Sequence, residues 1–140
     1  GLGDVYKRQF IFRNIDILEH DEDDPMYQGC MTVDCGDRNR VRNVLFEDIR
    51  VEHIQEGRLF YVKVRFNPKY DRQPGSSIEG VVFRNITYTG VGENRSLIQG
   101  LSRDGMVRNV TFENVTINGE KMRDLKEAVT NEFISNVSVK

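Results

Sequence analysis

The densest group of titratable side chains is Glu19-His20-Asp21-Glu22-Asp23-Asp24-Pro25. Two carboxylates held about 5 to 9.5 Å apart can hydrolyse a glycosidic bond, one as general acid and the other as base or nucleophile. Several carboxylates and backbone carbonyls from one loop also suit a hard cation such as Ca²⁺. Adjacent acids seldom reach the first geometry, and a solvated connection between strands explains the run equally well. His20, Asp21 and Asp23 are its candidate substrate contacts, with no resident metal and no cofactor expected. Cations supply the second group. Lys63 and Arg65 alternate with Val62 and Val64, so a strand that buries the valines turns both cations outward. There they can hold a carboxylate or sugar hydroxyls, or merely keep an exposed face soluble. The stretch that follows, Arg65 to Gly75, mixes aromatics, amides and cations, and Asn67, Lys69 and Tyr70 are its candidates for stacking on and hydrogen bonding to a sugar ring. Asp34-Cys35-Gly36-Asp37-Arg38-Asn39-Arg40 is acidic too, but turn chemistry is sufficient to explain it.

The elements that must position these residues carry a repeat. One phrase recurs four times: Phe10-Ile11-Phe12-Arg13-Asn14-Ile15, Val44-Leu45-Phe46-Glu47-Asp48-Ile49, Val81-Val82-Phe83-Arg84-Asn85-Ile86 and Val110-Thr111-Phe112-Glu113-Asn114-Val115. Successive phenylalanines lie roughly 30 to 37 residues apart, the period of stacked repeats rather than of one unique core. Within a copy the apolar residues alternate, so Val44, Phe46, Ile49 and Val51 point inward from short strands. Asn or Asp at the break tolerates left-handed backbone and lets the strand bend. Asn14, Asp48, Asn85 and Asn114 are therefore expected to stack at one corner. A second strand follows each phrase, at Gly29 to Val33, Leu59 to Val64 and Ser96 to Gly100. The expected fold is all-β, a right-handed parallel β-helix of about four coils with a short C-terminal cap. A β-sandwich also has short recurring strands, but it has no reason to repeat the same residues at the same corner. Ile134-Ser135-Asn136-Val137-Ser138-Val139 echoes the opening of the phrase. Before it, Met122, Leu125 and Val129 recur at helical spacing, which predicts a short helix over the last coil between Glu120 and Glu132.

The chain has 140 residues, is 38% hydrophobic and carries a formal charge of −2, too near neutral to imply attraction to nucleic acid or to a membrane surface. No apolar run reaches membrane-spanning length. Cys30 and Cys35 sit an odd separation apart in one strand and face opposite ways, which argues against a disulfide. Sequons at Asn85, Asn94, Asn109, Asn114 and Asn136 follow from Asn corners that precede β-branched residues, so glycosylation is not inferred. Asp4-Val5-Tyr6-Lys7-Arg8-Gln9 resembles the translated end of a transposon used in preparing sequencing libraries. Residues 1–9 are accordingly expected to be an artefact. The β-helical segment is expected at residues 10–140, as the C-terminal portion of a longer protein whose location in the cell stays open.

Val41-Arg42-Asn43-Val44-Leu45-Phe46-Glu47-Asp48-Ile49-Arg50-Val51 and Val107-Arg108-Asn109-Val110-Thr111-Phe112-Glu113-Asn114-Val115-Thr116-Ile117-Asn118-Gly119 resemble the C-terminal coils of the polygalacturonases, family 28 of the glycoside hydrolases. The resemblance covers Phe10 to Lys140. It implies hydrolysis of galacturonide or related bonds, generally with inversion and without a metal. It also implies that the catalytic aspartates, in N-T-D and D-D motifs, precede Phe10, so no catalytic residue is assigned in this segment. The family's G-H-G segment falls at Gln28-Gly29-Cys30-Met31-Thr32, where no histidine stands. Lys63 matches the lysine of the R-I-K strand that contacts the sugar carboxylate, and Tyr61 replaces its arginine, which leaves room for a neutral glycan.

Three functions remain open on these residues. The first is the C-terminal part of a β-helical hydrolase acting on a pectin-like or related polysaccharide, monomeric at full length and bound to no partner but its glycan. A polysaccharide lyase on the same scaffold is the second, and a noncatalytic glycan-binding or adhesin solenoid the third. Long mixed loops from Glu19 to Gln28 and from Asn67 to Ser76 fit a stalk less well than an enzyme.

Overall fold

The computed structural model describes residues 9–18, 29–36, 39–54, 58–66, 76–91 and 95–140. The chain is all-β, with no helix among the described residues. It passes back and forth between two sheets. The first holds β1 (Phe10–Ile17), β3 (Arg40–Glu52), β5 (Ser77–Thr89), β7 (Val107–Ile117) and β10 (Ile134–Val139), in that spatial order. The second holds β2 (Gly29–Cys35), β4 (Arg58–Val64), β6 (Leu97–Gln99) and β9 (Val129–Thr130). Every pairing along both paths is parallel, and only the two-residue β8 (Glu120–Lys121) pairs antiparallel, with β7. A hairpin cannot join parallel neighbours, so a sandwich built from hairpins is ruled out and each strand of one sheet serves as part of the crossover for the other.

Register follows the repeat. Phe12 pairs with Phe46, Phe46 with Phe83 and Phe83 with Phe112. Their rings stack at centroid separations of 5.0, 5.1 and 4.9 Å, which is the spacing between neighbouring strands. From the second sheet Phe60 meets Phe83 and Phe112 edge-on, at 4.6 and 5.0 Å, so one ring ties the two sheets together. The row Val44, Val81, Val110 and the row Ile49, Ile86, Val115 flank the stack and are buried. A slip of one residue would turn every one of these side chains to solvent, so burial fixes the register.

The bends are left-handed residues. Asn14, Asp48, Asn85 and Asn114 all have φ between 53° and 57°, the region where a short polar side chain is tolerated. Their side chains form the expected ladder: Asn114 Nδ2 donates to Asn85 Oδ1 (2.9 Å), and Asn85 Nδ2 to Asp48 Oδ1 (3.1 Å). A second corner lies five residues earlier, at Asn43 (φ 59°), Gly80 (φ 79°), Asn109 (φ 59°) and Asn136 (φ 53°). There Asn136 Nδ2 donates to Asn109 Oδ1 at 2.7 Å. A third begins at His53 (φ 56°) and recurs at Asn118 (φ 50°). β3 is thus short extended runs joined at tight bends rather than one straight strand.

The segment from Glu120 to Glu132 corrects the helix expected there: it holds β8, turns and β9. Val129 pairs with Leu97, so the segment's backbone is taken up by the second sheet. Arg95 donates to the carbonyls of Lys126, Glu127 and Ala128. Asn131 clamps Gly100, accepting from its N–H (3.2 Å) and donating to its carbonyl (2.8 Å). Met122 and Leu125 still pack on the core, so their spacing marked a real apolar face but the wrong element.

Phe83 is fully buried while Phe12 is 45% exposed. Phe83→Ala should therefore cost about 3 to 5 kcal/mol in urea unfolding, as a buried aromatic truncation, and Phe12→Ala clearly less. Equal losses would show that the two rings are equally enclosed.

Candidate functional site

Lys63 lies on β4, an inner strand of the second sheet, opposite Asp34 on one side and Gln99 on the other. Alternation places it there: Val62 and Val64 are buried, at 0% and 1% exposure, while Lys63 is partly exposed. An acid, an ammonium and an amide thus stand side by side on a sheet that holds their backbones rigid. Arg65, just past β4, donates its backbone N–H to Cys35 O (2.9 Å) and its guanidinium Nε to both carboxylate oxygens of Asp34 (2.9 and 3.1 Å). The expected pair of outward cations is therefore unequal. Arg65 is already engaged by Asp34 at the surface, which leaves Lys63 as the cation better suited to meet a ligand.

Tyr61, at the place of the family's arginine, is 6% exposed and pairs with Thr32 and Leu97. It is part of the packing, because residues Arg58 to Val62 are buried on both faces of β4. Gly29, where the G-H-G segment was matched, is glycine for a steric reason: a Cβ there would lie 2.5 Å from the Arg58 carbonyl oxygen. Thr32 closes this turn, accepting from the Gly29 N–H and donating to its carbonyl. His20, Asp21, Asp23, Asn67, Lys69 and Tyr70 lie outside the described residues, as do Gly1 to Arg8.

The described carboxylates with clear perturbations are not poised to donate a proton. Glu47 accepts from Arg84 (3.1 Å) and Arg13 (2.6 Å), which hold its carboxyl below the usual range. Asp16 is lowered in the same way by Arg50. A general acid needs the opposite shift. Neither thiol is a ready nucleophile, since burial pushes Cys30 up to about 12 and Cys35 upward as well. Both cysteines are free. Among the described residues no cluster of His, Cys, Asp and Glu could hold a metal ion.

Two concavities were not foreseen. A cavity of about 810 Å³ opens beside the segment that carries β8, lined by Phe60, Ser96, Ile117, Met122 and Ala128 together with charged residues of that segment. A shallower groove of about 350 Å³ follows the corner ladder, with Arg50 and Thr87 beside Asn14, Asp48, Asn85 and Asn114. Lys63 and Arg65 line neither.

Glu47 carries a pH prediction. Its pKa is depressed in the folded chain from a value of 4.5, so its contribution is present above that pH and lost as the pH falls through the folded value. Glu47→Gln should flatten the acid limb of a stability-versus-pH curve, and an unchanged limb would show that the pair with Arg84 and Arg13 has no energetic role.

No protein family, curated protein or solved structure matches this chain.

Proposed function

We propose that the two parallel sheets are the faces of a right-handed parallel β-helix of about four coils, and that this helix is the C-terminal part of a polygalacturonase-like hydrolase acting on an acidic, pectin-like glycan. The reading rests on the resemblance of the repeats to family 28 coils. Strands that alternate between two parallel sheets with matching residues in register support it, since successive coils of a solenoid would pair in that way.

The observation that carries the functional part is the row Asp34, Lys63, Gln99. A lysine fixed on a sheet, beside an acid already engaged by Arg65, can give a charge-assisted hydrogen bond to a uronate carboxylate, and the neighbouring amide can bond a ring hydroxyl. Long-range alignment of the sugar would then come from strands that cannot shift, as a precise site requires. In this reading the segment binds substrate and the acid and base lie upstream of Phe10.

Two arms test it. The 140-residue chain alone should release no reducing ends from polygalacturonate, and hydrolysis by the chain would place the catalytic acids within it. An unsaturated product would favour a lyase instead. Lys63→Ala should weaken binding of an oligogalacturonide several-fold while leaving thermal stability and binding of a neutral oligosaccharide unchanged, as expected for a lost charged contact. Unaltered affinity would reduce Lys63 to a surface lysine.

A further inference from the structure

We infer that the outer edge of β1 is a docking face for one more parallel strand of the same repeat, and that the alternating charges of the first sheet specify what that strand must carry. This rests on the reading of the chain as part of a longer solenoid and adds to it the chemistry of the missing neighbour.

Exposed apolar residues are gathered at this end. Phe10, Ile11, Phe12 and Ile15 are 36 to 48% exposed, and Leu18 just beyond them is 67% exposed. Their row partners on β3, Val44, Leu45, Phe46 and Ile49, are 1 to 6% exposed. β1 pairs only with β3 among the described residues, so its other edge offers backbone N–H and C=O groups beside an apolar face.

Charge then says what fits. The position after each phenylalanine reads Arg13, Glu47, Arg84, Glu113 across the sheet, in register. Lys140 continues the series, because its N–H donates to Phe112 O and its carbonyl accepts from Asn114 N–H, the places of the next row partner of Glu113. The sequence of signs is therefore plus, minus, plus, minus, plus. Interior members meet an opposite charge on both sides: Glu47 accepts from Arg13 and Arg84, and Arg84 donates to Glu47 and Glu113. Among the described residues Arg13, at the edge, has an acid on one side only. Three residues on, Asp16 pairs with Arg50 in the same one-sided way. The corner amides also point one way, each Nδ2 donating toward the preceding coil. An incoming strand should thus offer an acid opposite Arg13, a cation opposite Asp16, and Asn or Asp opposite Asn14.

A second copy of this chain meets the requirement badly. Stacked head to tail in the same rows, β10 would set Val137 and Val139 against Phe10 and Phe12 but Lys140 against Arg13. Like charges directly opposite destabilise a strand pair. We therefore assign the face to a coil that precedes β1 in the same polypeptide.

The chain itself supplies the probes. A peptide copying Arg40–Glu52 presents Glu47 to Arg13 and Arg50 to Asp16, whereas one of equal length copying Ser77–Thr89 presents Arg84 and Thr87. With labelled peptides and fluorescence anisotropy, the first should bind the 140-residue chain about threefold or more tightly than the second. Arg13→Glu should invert the order, and Arg13→Gln should shrink the preference to the part carried by Asp16. Arg13 is half-exposed, so both variants are expected to keep the fold, checked by circular dichroism. Equal binding of the two peptides, or binding of neither, would overturn the inference. So would a dimer in sedimentation velocity that the first peptide dissociates, since a second copy would then be the occupant. No sugar enters the assay, so its failure would leave the glycan reading untouched and the converse also holds.

Discussion

Everything in this structure depends on parallel strands being held in register by identical residues stacked on one another. The phenylalanine row supplies the attraction: Phe46 and Phe83 each have a stacked ring on both sides, and Phe60 closes the stack from the opposite sheet. The left-handed corners supply the constraint. Because Asn14, Asp48, Asn85 and Asn114 bend the chain at the same row, the residues beyond the bend return to the interior with their parity reset. Without the corner, alternation would carry Ile49 and Val51 to the wrong face. Stack and corner are therefore complementary, one drawing the strands together and the other keeping both arms of each strand facing inward.

Much of this was legible in the chain because a repeat exposes each row several times. The phenylalanine and Asn/Asp rows could be read directly, and so could the outward place of Lys63 between two valines. The second corner was missed because Gly80 stands where its neighbours have Asn43 and Asn109, which hides the pattern from a reading based on residue identity. Glycine solves the same backbone problem. The charge alternation was printed after each phenylalanine as Arg, Glu, Arg, Glu, but its meaning appears only once the strands are known to be parallel and adjacent. The helix expected near Met122, Leu125 and Val129 failed for a different reason. Three apolar residues at helical spacing are weak evidence, and pairing of Val129 with Leu97 together with the carbonyl contacts of Arg95 satisfies the backbone without a helix. Alternation also misleads at Tyr61, where β4 is buried on both faces from Arg58 to Val62.

The same rows sort the charged residues by role. On the first sheet Arg84 lies between Glu47 and Glu113, and Arg13 and Arg50 each pair with an acid of the neighbouring strand, contacts that favour the observed register. On the second sheet Arg65 is absorbed by Asp34, and Lys63 stands in a row with one acid and one amide. This difference in surroundings, rather than charge itself, makes Lys63 the side chain around which a glycan-binding reading can be built.

A double-mutant cycle on the phenylalanine row tests the central claim most directly. Phe46→Leu and Phe83→Leu, singly and together, should show a coupling of about 0.5 to 1.5 kcal/mol in urea unfolding, because these rings stack face to face. Phe46 and Phe112, separated by Phe83, should couple by no more than the ~0.3 to 0.5 kcal/mol seen for independent sites. Absence of coupling between Phe46 and Phe83, or equal coupling for both pairs, would contradict a core built from one ring stacked on the next.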